Sequence, residues 1–199
     1  MKNQIRPLLL SFLILGLLTG VVYPLLVTGL AQLIFPVKAN GSLIKVADKS
    51  IGSELIGQSF SSDAYFWSRP SATSPVPYTA FNQTSLTGSA GSNLGPLSQE
   101  LVNEVKDRVS KLQQANPESK LLIPIDLITS SASGLDPDIS VSAAYYQAPR
   151  VARVRKMAIS EVNSIIESNI ERPQFGFLGE ARVNVLKLNM ALDGIQYKK

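Results

Sequence analysis

The 199-residue chain contains no cysteine and no histidine. Those two absences together remove structural disulfides, thiol catalysis, a Ser-His-Asp triad and the usual His/Cys zinc sites. No side chain that titrates unperturbed near neutrality remains. Lack of cysteine leaves the redox compartment undecided, because reducing and oxidising surroundings tolerate it equally. Charge is scarce too: 17% of residues are Asp, Glu, Lys or Arg, against about 25% in an average soluble domain. No acidic residue occurs in the first 47 positions, so all 15 follow, and apart from Lys2 and Arg6 they face 17 basic residues. A nucleic-acid binder needs a basic stripe. The one cluster here is Arg150, Arg153, Arg155 and Lys156, too little for that footprint.

What the chain has is apolar length. From Pro7 to Phe35, 29 residues carry no charge, against about 20 needed to cross a hydrocarbon core as a helix. A cleaved signal peptide is the competing reading, with Val37-Lys38-Ala39 as a small-residue cleavage site. Its apolar region would be about 7–15 residues long, so the length favours a retained transmembrane helix. Gly16 and Gly20 lie one turn apart and would let a partner helix approach closely. Pro24 is expected to bend the helix and free a carbonyl. No ionisable residue lies inside the span, so it cannot alone form an ion path. Lys2 and Arg6 flank one end, while Lys38, Lys45 and Lys49 follow the other; the closer spacing at the front favours a cytoplasmic N-terminus.

The expected organisation is a short N-terminus over 1–6, a transmembrane helix over 7–35 and one mixed α/β (α+β) domain over 36–199. That domain includes a long irregular loop over 68–96, rich in Ser, Thr, Pro, Gly and Asn. Leu97, Leu101, Val105, Val109 and Leu112 repeat at helical spacing, with Ser98 as N-cap and Asn116-Pro117 as a stop. Leu121–Leu127 reads as a short buried strand, with Pro124 pointing to an edge or a strand start. Ser140–Gln147 reads as a short helix, Val151–Ile170 as an amphipathic one, and Arg182–Asn189 alternates as a strand.

Three segments carry candidate chemistry. Gly88–Gly95 is glycine-rich and precedes a helix, but it has no lysine and is not a P-loop. Thr129–Ser140 brings Asp136 and Asp138 near Asp126, oxygen ligands for a divalent cation; the alternative is a set of caps and a turn at Asp136-Pro137. A serine nucleophile there would need a lysine base such as Lys120. The basic turn Pro149–Lys156 offers arginines for carboxylates or phosphates, or simply a solvated or docking face.

Read in order, the chain resembles one family, the C subunit of the bacterial Kdp potassium-transporting P-type ATPase. The residues that carry the likeness begin with Gly57-Gln58, Phe60, Tyr65-Phe66 and Arg69-Pro70-Ser71-Ala72, followed by Gly91-Ser92-Asn93-Leu94-Gly95-Pro96. Pro124, Asp126-Leu127, Ser133-Gly134-Leu135-Asp136-Pro137, Ile139-Ser140, Ala143-Ala144, Gln147 and Arg150-Val151-Ala152 come next. Leu178-Gly179, Arg182-Val183-Asn184-Val185-Leu186 and Leu188-Asn189 complete the set. Two positions depart from the pattern: Asp138 stands where many members have histidine, and Ala181 where proline is common.

The resemblance implies a single N-terminal span with an external domain in the bacterial inner membrane. It implies three partners: an ATP-hydrolysing P-type subunit, a channel-like potassium-binding subunit and a small hydrophobic subunit. Phosphoryl transfer would belong to the P-type subunit, and this chain has no Asp-Lys-Thr-Gly motif. The chain itself would be non-catalytic, without a permanent cofactor, and would act as a catalytic chaperone that raises ATP affinity. Gln147, Ser133, Gly134 and Asp136 are the nucleotide-contact residues to inspect. A reading from a different class is a membrane-anchored extracytoplasmic enzyme or small-molecule binding domain built on an aspartate metal site.

Overall fold

In the computed structural model, which describes residues 2–84, 86–117 and 119–195, the apolar run is helical as far as Ile34. Met1, Ser85, Glu118 and residues 196–199 lie outside the described residues, as does the side chain of Lys2 counted among the flanking charges. Helix α1 (Lys2–Leu17) passes through a π turn (Leu18–Val22) into α2 (Tyr23–Ile34). The stretch Gln4–Ile34 has a mean hydropathy of 2.3 and is long and apolar enough to cross a membrane. Just before Pro24 the helix widens by one residue. Proline has no N–H and its ring would strike the carbonyl four residues back; here Tyr23 N–H bonds to Leu18 O, five residues away. Two hydroxyls inside the run return to their own helix: Ser11 donates to Pro7 O at 2.7 Å and Thr19 to Leu15 O at 2.7 Å. One turn, α3 (Pro36–Ala39), follows.

The chain divides into two units near Leu43, the helical run and the region from Ile44 onward. The second unit is a mixed region of helices and short strands. It opens with paired strands β1 (Leu43–Val46) and β2 (Lys49–Ser53). Their two-residue turn, Ala47-Asp48, has both φ angles positive, at 47° and 62°, as a twist-matched hairpin requires. Residues 54–98 are irregular except for the paired β3 (Phe81–Asn82) and β4 (Thr87–Gly88). Helix α4 (Gln99–Ala115) starts and stops as its sequence predicts. Ser98 Oγ accepts from Leu101 N–H, and Asn116 is the C-cap.

The sheet that organises this unit is small. β5 (Asp138–Ser140), β7 (Arg182–Asn184) and β6 (Ile170–Glu171) lie in the order β5-β7-β6, all antiparallel, with Ile139 and Ile170 both opposite Val183. Each strand abuts a helix. β5 turns directly into α5 (Val141–Arg155), capped by Ser140. β7 turns into α7 (Val185–Leu192), capped by Asn184. α6 (Ile159–Ser168) runs into β6. The core gathers around α5: Ala143, Ala144, Tyr146, Ala148 and Val151 pack with Phe66, Val162, Ile166, Val183 and Leu188.

Local expectations fail at three places here, each for a physical reason. The helix does not stop at Gln147, Pro149–Lys156 is not a turn, and Val151–Ile170 is not one helix, being split between α5 and α6. α5 runs through to Arg155, because burial of eight of its residues outweighs a proline penalty of about 3 kcal/mol. It stops at Lys156, left-handed at φ 56°, with Met157 N–H returning to Ala152 O. Leu121–Leu127 is no buried strand: Leu121 and Leu122 are exposed and Ile125–Leu127 forms a 3₁₀ turn after Pro124. Arg182–Asn189 is strand for three residues only. Asn184 Oδ1 then accepts from Lys187 N–H and starts a helix buried on most sides, which hides the 3.6-residue stripe.

Candidate functional site

An extended segment, residues 66–71, touches most of the residues that the sequence singles out. Phe66 N–H donates to Asn189 Oδ1 at 2.8 Å, and Asn189 Nδ2 donates to Phe66 O at 3.0 Å. Trp67 N–H donates to Gln147 Oε1 at 2.7 Å, and Gln147 Nε2 donates to Trp67 O at 3.2 Å. Two side-chain amides thus act as strand substitutes for a backbone that pairs with no strand among the described residues. Further along, Arg69 meets Asp136 at 2.8 Å and Ser71 Oγ donates to Gly134 O at 2.6 Å.

Gln147 is fully buried and its amide is fully used. Besides Trp67, Nε2 donates to Ala143 O at 3.3 Å, and Oε1 accepts from Arg150 Nη2 at 2.6 Å. Arg150 is the largest fully buried side chain. Its guanidinium lies 4.0 Å from the Trp67 ring and reaches Asp63 at 3.6 Å. Burial pulls its pKa down to about 10, with Asp63 opposing, so it remains a cation at neutral pH.

The glycine-rich segment and the 130–136 loop, separate in the sequence, pack on each other. Ala90 N–H and Ser89 Oγ both donate to Ser133 O at 2.9 Å. Ser133 Oγ accepts from Leu135 N–H at 3.1 Å. A Cβ on Gly91 would lie 2.8 Å from Ala132 O, and one on Gly134 2.6 Å from Ala90 O. Gly134 also has φ +66°, so glycine is required there on two counts. The close approach that glycine permits at 88–95 is therefore to the chain's own backbone.

The three aspartates do not converge. Asp126 accepts from Ser140 N–H at 2.7 Å and from Ser140 Oγ at 3.1 Å; Asp136 pairs with Arg69; Asp138 pairs with Arg182 at 2.8 Å. No group of three His, Cys, Asp or Glu that could hold a metal occurs among the described residues. The cap-and-turn alternative describes this loop, and the aspartate metal site loses its geometry. Burial raises the Asp138 carboxyl above the ordinary range, Arg182 pulls it down, and Glu171 and Asp136 push it up again. Arg182 also bonds Glu171 at 3.1 Å, and Lys187 reaches Glu171 at 2.9 Å and Glu54 at 3.4 Å. A histidine at 138 would face a cation; the aspartate joins a network of alternating sign.

The basic cluster is likewise absorbed. Arg153 donates to Ala115 O at 2.9 Å, and Arg155 binds Ala64 O, Leu192 O and Asp193. Arg155 also lies 4.7 Å from the Tyr65 ring. Sequence reasoning missed Trp67 and Asn189 as site residues. The signal that could have found Asn189 is an amide amid the apolar Leu186, Leu188 and Met190 of α7, the pattern that Gln147 shows amid the alanines of α5. A Cβ added at Gly16 or Gly20 would meet nothing within 4 Å, so both positions are open in this chain.

Over residues 5–194 the sequence matches the family described as KdpC: K+-transporting ATPase, c chain. It is 54% identical over 196 residues to the potassium-transporting ATPase KdpC subunit of Polaromonas naphthalenivorans (strain CJ2), covering 98% of this chain and 97% of that one. The KdpC subunit of Polynucleobacter asymbioticus is 54% identical over 194 residues, covering 98% and 100% of the two chains. That of Janthinobacterium sp. (strain Marseille) is 52% identical over 194 residues, covering 97% and 99%. With such likeness along nearly its whole length, this chain belongs to the KdpC family.

Proposed function

We propose that the chain is the non-catalytic accessory subunit of an ATP-driven potassium import complex in the bacterial inner membrane. The observation that carries this reading is family membership along nearly the whole chain. The interior chemistry agrees with it: Gln147, Asp126, Asp136, Asp138 and the arginines of α5 are engaged in bonds that hold the fold. Its partners are the ATP-hydrolysing P-type subunit, the channel-like potassium-binding subunit and the small hydrophobic subunit. The N-terminus is cytoplasmic, the helix over 7–35 is the membrane anchor, and the domain over 36–199 is external, seated over the outer mouth of the potassium-binding subunit.

A chaperone effect on ATP affinity then acts across the membrane. Nucleotide binds on the cytoplasmic side, so coupling travels as a linkage free energy through the assembled complex and not as a direct contact. In this arrangement Gln147, Ser133, Gly134 and Asp136 keep the external domain folded, and it is the folded domain as a whole that carries the coupling.

The test is a mild-detergent pull-down of the tagged full-length chain from cells expressing the whole pump, with the eluate assayed for potassium-stimulated ATP hydrolysis. Co-purification of a large P-type ATPase and a polytopic subunit supports the reading. A lone chain refutes it. In the assembled complex, Gln147→Ala should leave ATP affinity unchanged wherever the domain remains folded; weaker ATP binding with assembly and folding intact would restore direct contact.

A further inference from the structure

Between α4 and the segment 59–71 lies a cavity of about 300 Å³, at the lower end of the usual range for small-ligand sites. Its wall combines Arg69, Arg108 and Lys111 with the aromatic surfaces of Phe60, Trp67 and Tyr78, and no carboxylate belongs to it among the described residues. Two of the cations have partners outside that wall: Arg69 bonds Asp136 at 2.8 Å and Arg108 bonds Glu104 at 2.8 Å. Arg69 Nε still has no acceptor among the described residues.

Lys111 differs from both arginines. It is exposed, has no ion-pair partner among the described residues, and its ammonium sits 5.1 Å from the centre of the Trp67 ring. That ring already has the Arg150 guanidinium at 4.0 Å. An indole can attract a cation on its π face, but two cations at one ring repel each other, and an anion beside Lys111 would relieve that repulsion. Tyr78 adds no negative charge to the wall. Its hydroxyl donates to Arg69 O, and burial pushes its pKa up to about 12.

We propose that this cavity binds a small organic anion. Its phosphate or carboxylate head is held by Lys111 with Arg69 and Arg108 beside it, and its apolar part lies against Phe60 and Trp67. None of Gln147, Ser133, Gly134 and Asp136 is in this wall. The proposal is independent of the accessory-subunit reading.

Trp67 is the only tryptophan in the chain, so intrinsic fluorescence of the full-length protein in detergent micelles reports on the cavity directly. Phenyl phosphate should give a saturable change with half-saturation near ~1 mM, and benzyl alcohol should give none. A response to phosphatidylglycerol in the micelle, without one to phenyl phosphate, assigns the same oxyanion site to a lipid headgroup. Lys111→Met should weaken binding about tenfold or more, as expected for losing a charge-assisted contact, while Lys106→Met on the same helix should not. Because Lys111→Met alters the indole's surroundings, phosphorus NMR line width of phenyl phosphate is the second readout. An equal response to benzyl alcohol, no saturable response to any anion, or undiminished affinity in Lys111→Met would overturn the proposal.

Discussion

Gln147 on α5 and Asn189 on α7 hold consecutive peptide units, those of Trp67 and Phe66, each through one accepted and one donated hydrogen bond. Successive residues of an extended chain direct their backbone groups to opposite sides, so two helices can grip one segment between them. The clamp fixes residues 66–71, and through Arg69–Asp136 and Ser71–Gly134 it also fixes the loop after α4.

If the clamp works as a unit, Gln147→Ala and Asn189→Ala should each destabilise by about 2–4 kcal/mol, because buried backbone groups and Arg150 lose partners. The double variant should depart from additivity by about 0.5 kcal/mol or more. Urea unfolding in detergent, followed by Trp67 fluorescence, measures both. Strict additivity with small single effects would remove the clamp from the account of stability.

Asp138 predicts a pH dependence of definite sign. Burial, the largest cause, raises its carboxyl above the ordinary 3.8, against the pull of Arg182. The fold therefore binds this proton more tightly than the unfolded chain does. The resulting stabilisation is complete below the unfolded value and is lost as pH rises through the raised folded value. Compared with wild type, Asp138→Asn should gain relative stability as pH climbs through that window. Carboxyl carbon NMR titration gives the midpoint directly; a value equal to 3.8 would abolish the effect and one below it would reverse the sign.

Gly134→Ala should cost about 2–4 kcal/mol, from a left-handed backbone plus contact with Ala90 O and Thr73 Cγ2, both at 2.6 Å. Gly176→Ala is the matched control. Its φ is +83°, yet nothing lies within 4 Å of the added methyl, so about 1 kcal/mol of backbone strain is expected. Thermal unfolding of the two variants separates close packing from backbone strain.

Residues 173–179 form a knuckle closed by bonds in both directions between Gln174 and Leu178. It leaves Phe175 86% and Phe177 76% exposed. In an accessory subunit such side chains are candidates for anchors in a neighbouring subunit. Phe175→Ser with Phe177→Ser should reduce recovery of partner subunits about tenfold in the pull-down while leaving the unfolding transition of the isolated chain in place. Unchanged recovery would take this knuckle out of the interface.

Local signals were readable wherever one short window contains all of the physics. The 29-residue uncharged run marks its helix by composition alone, and Ser98 and Asn116 bound α4 because a cap bonds within its own turn. The order of motifs is likewise a property of the string, and it was sufficient to point to the family. The course of the chain through Pro149 and the switch from strand to helix at Asn184 were not readable, because burial against distant segments decides both. Strands of two or three residues are also too short to display a period.

The site divides along the same line. The sequence by itself determined that this chain has one run long and apolar enough to cross a membrane and no histidine or cysteine chemistry, and which residues are unusual enough to inspect. Only the tertiary structure decided what those residues do. Gln147 meets Trp67 across 80 positions and Asn189 meets Phe66 across 123. Asp136 is drawn to Arg69 instead of to the other aspartates, and Lys111 is left beside an aromatic wall. Hydrogen bonds and ion pairs act over a few ångströms of space, so their partners are fixed only when the folded chain brings remote segments within that reach.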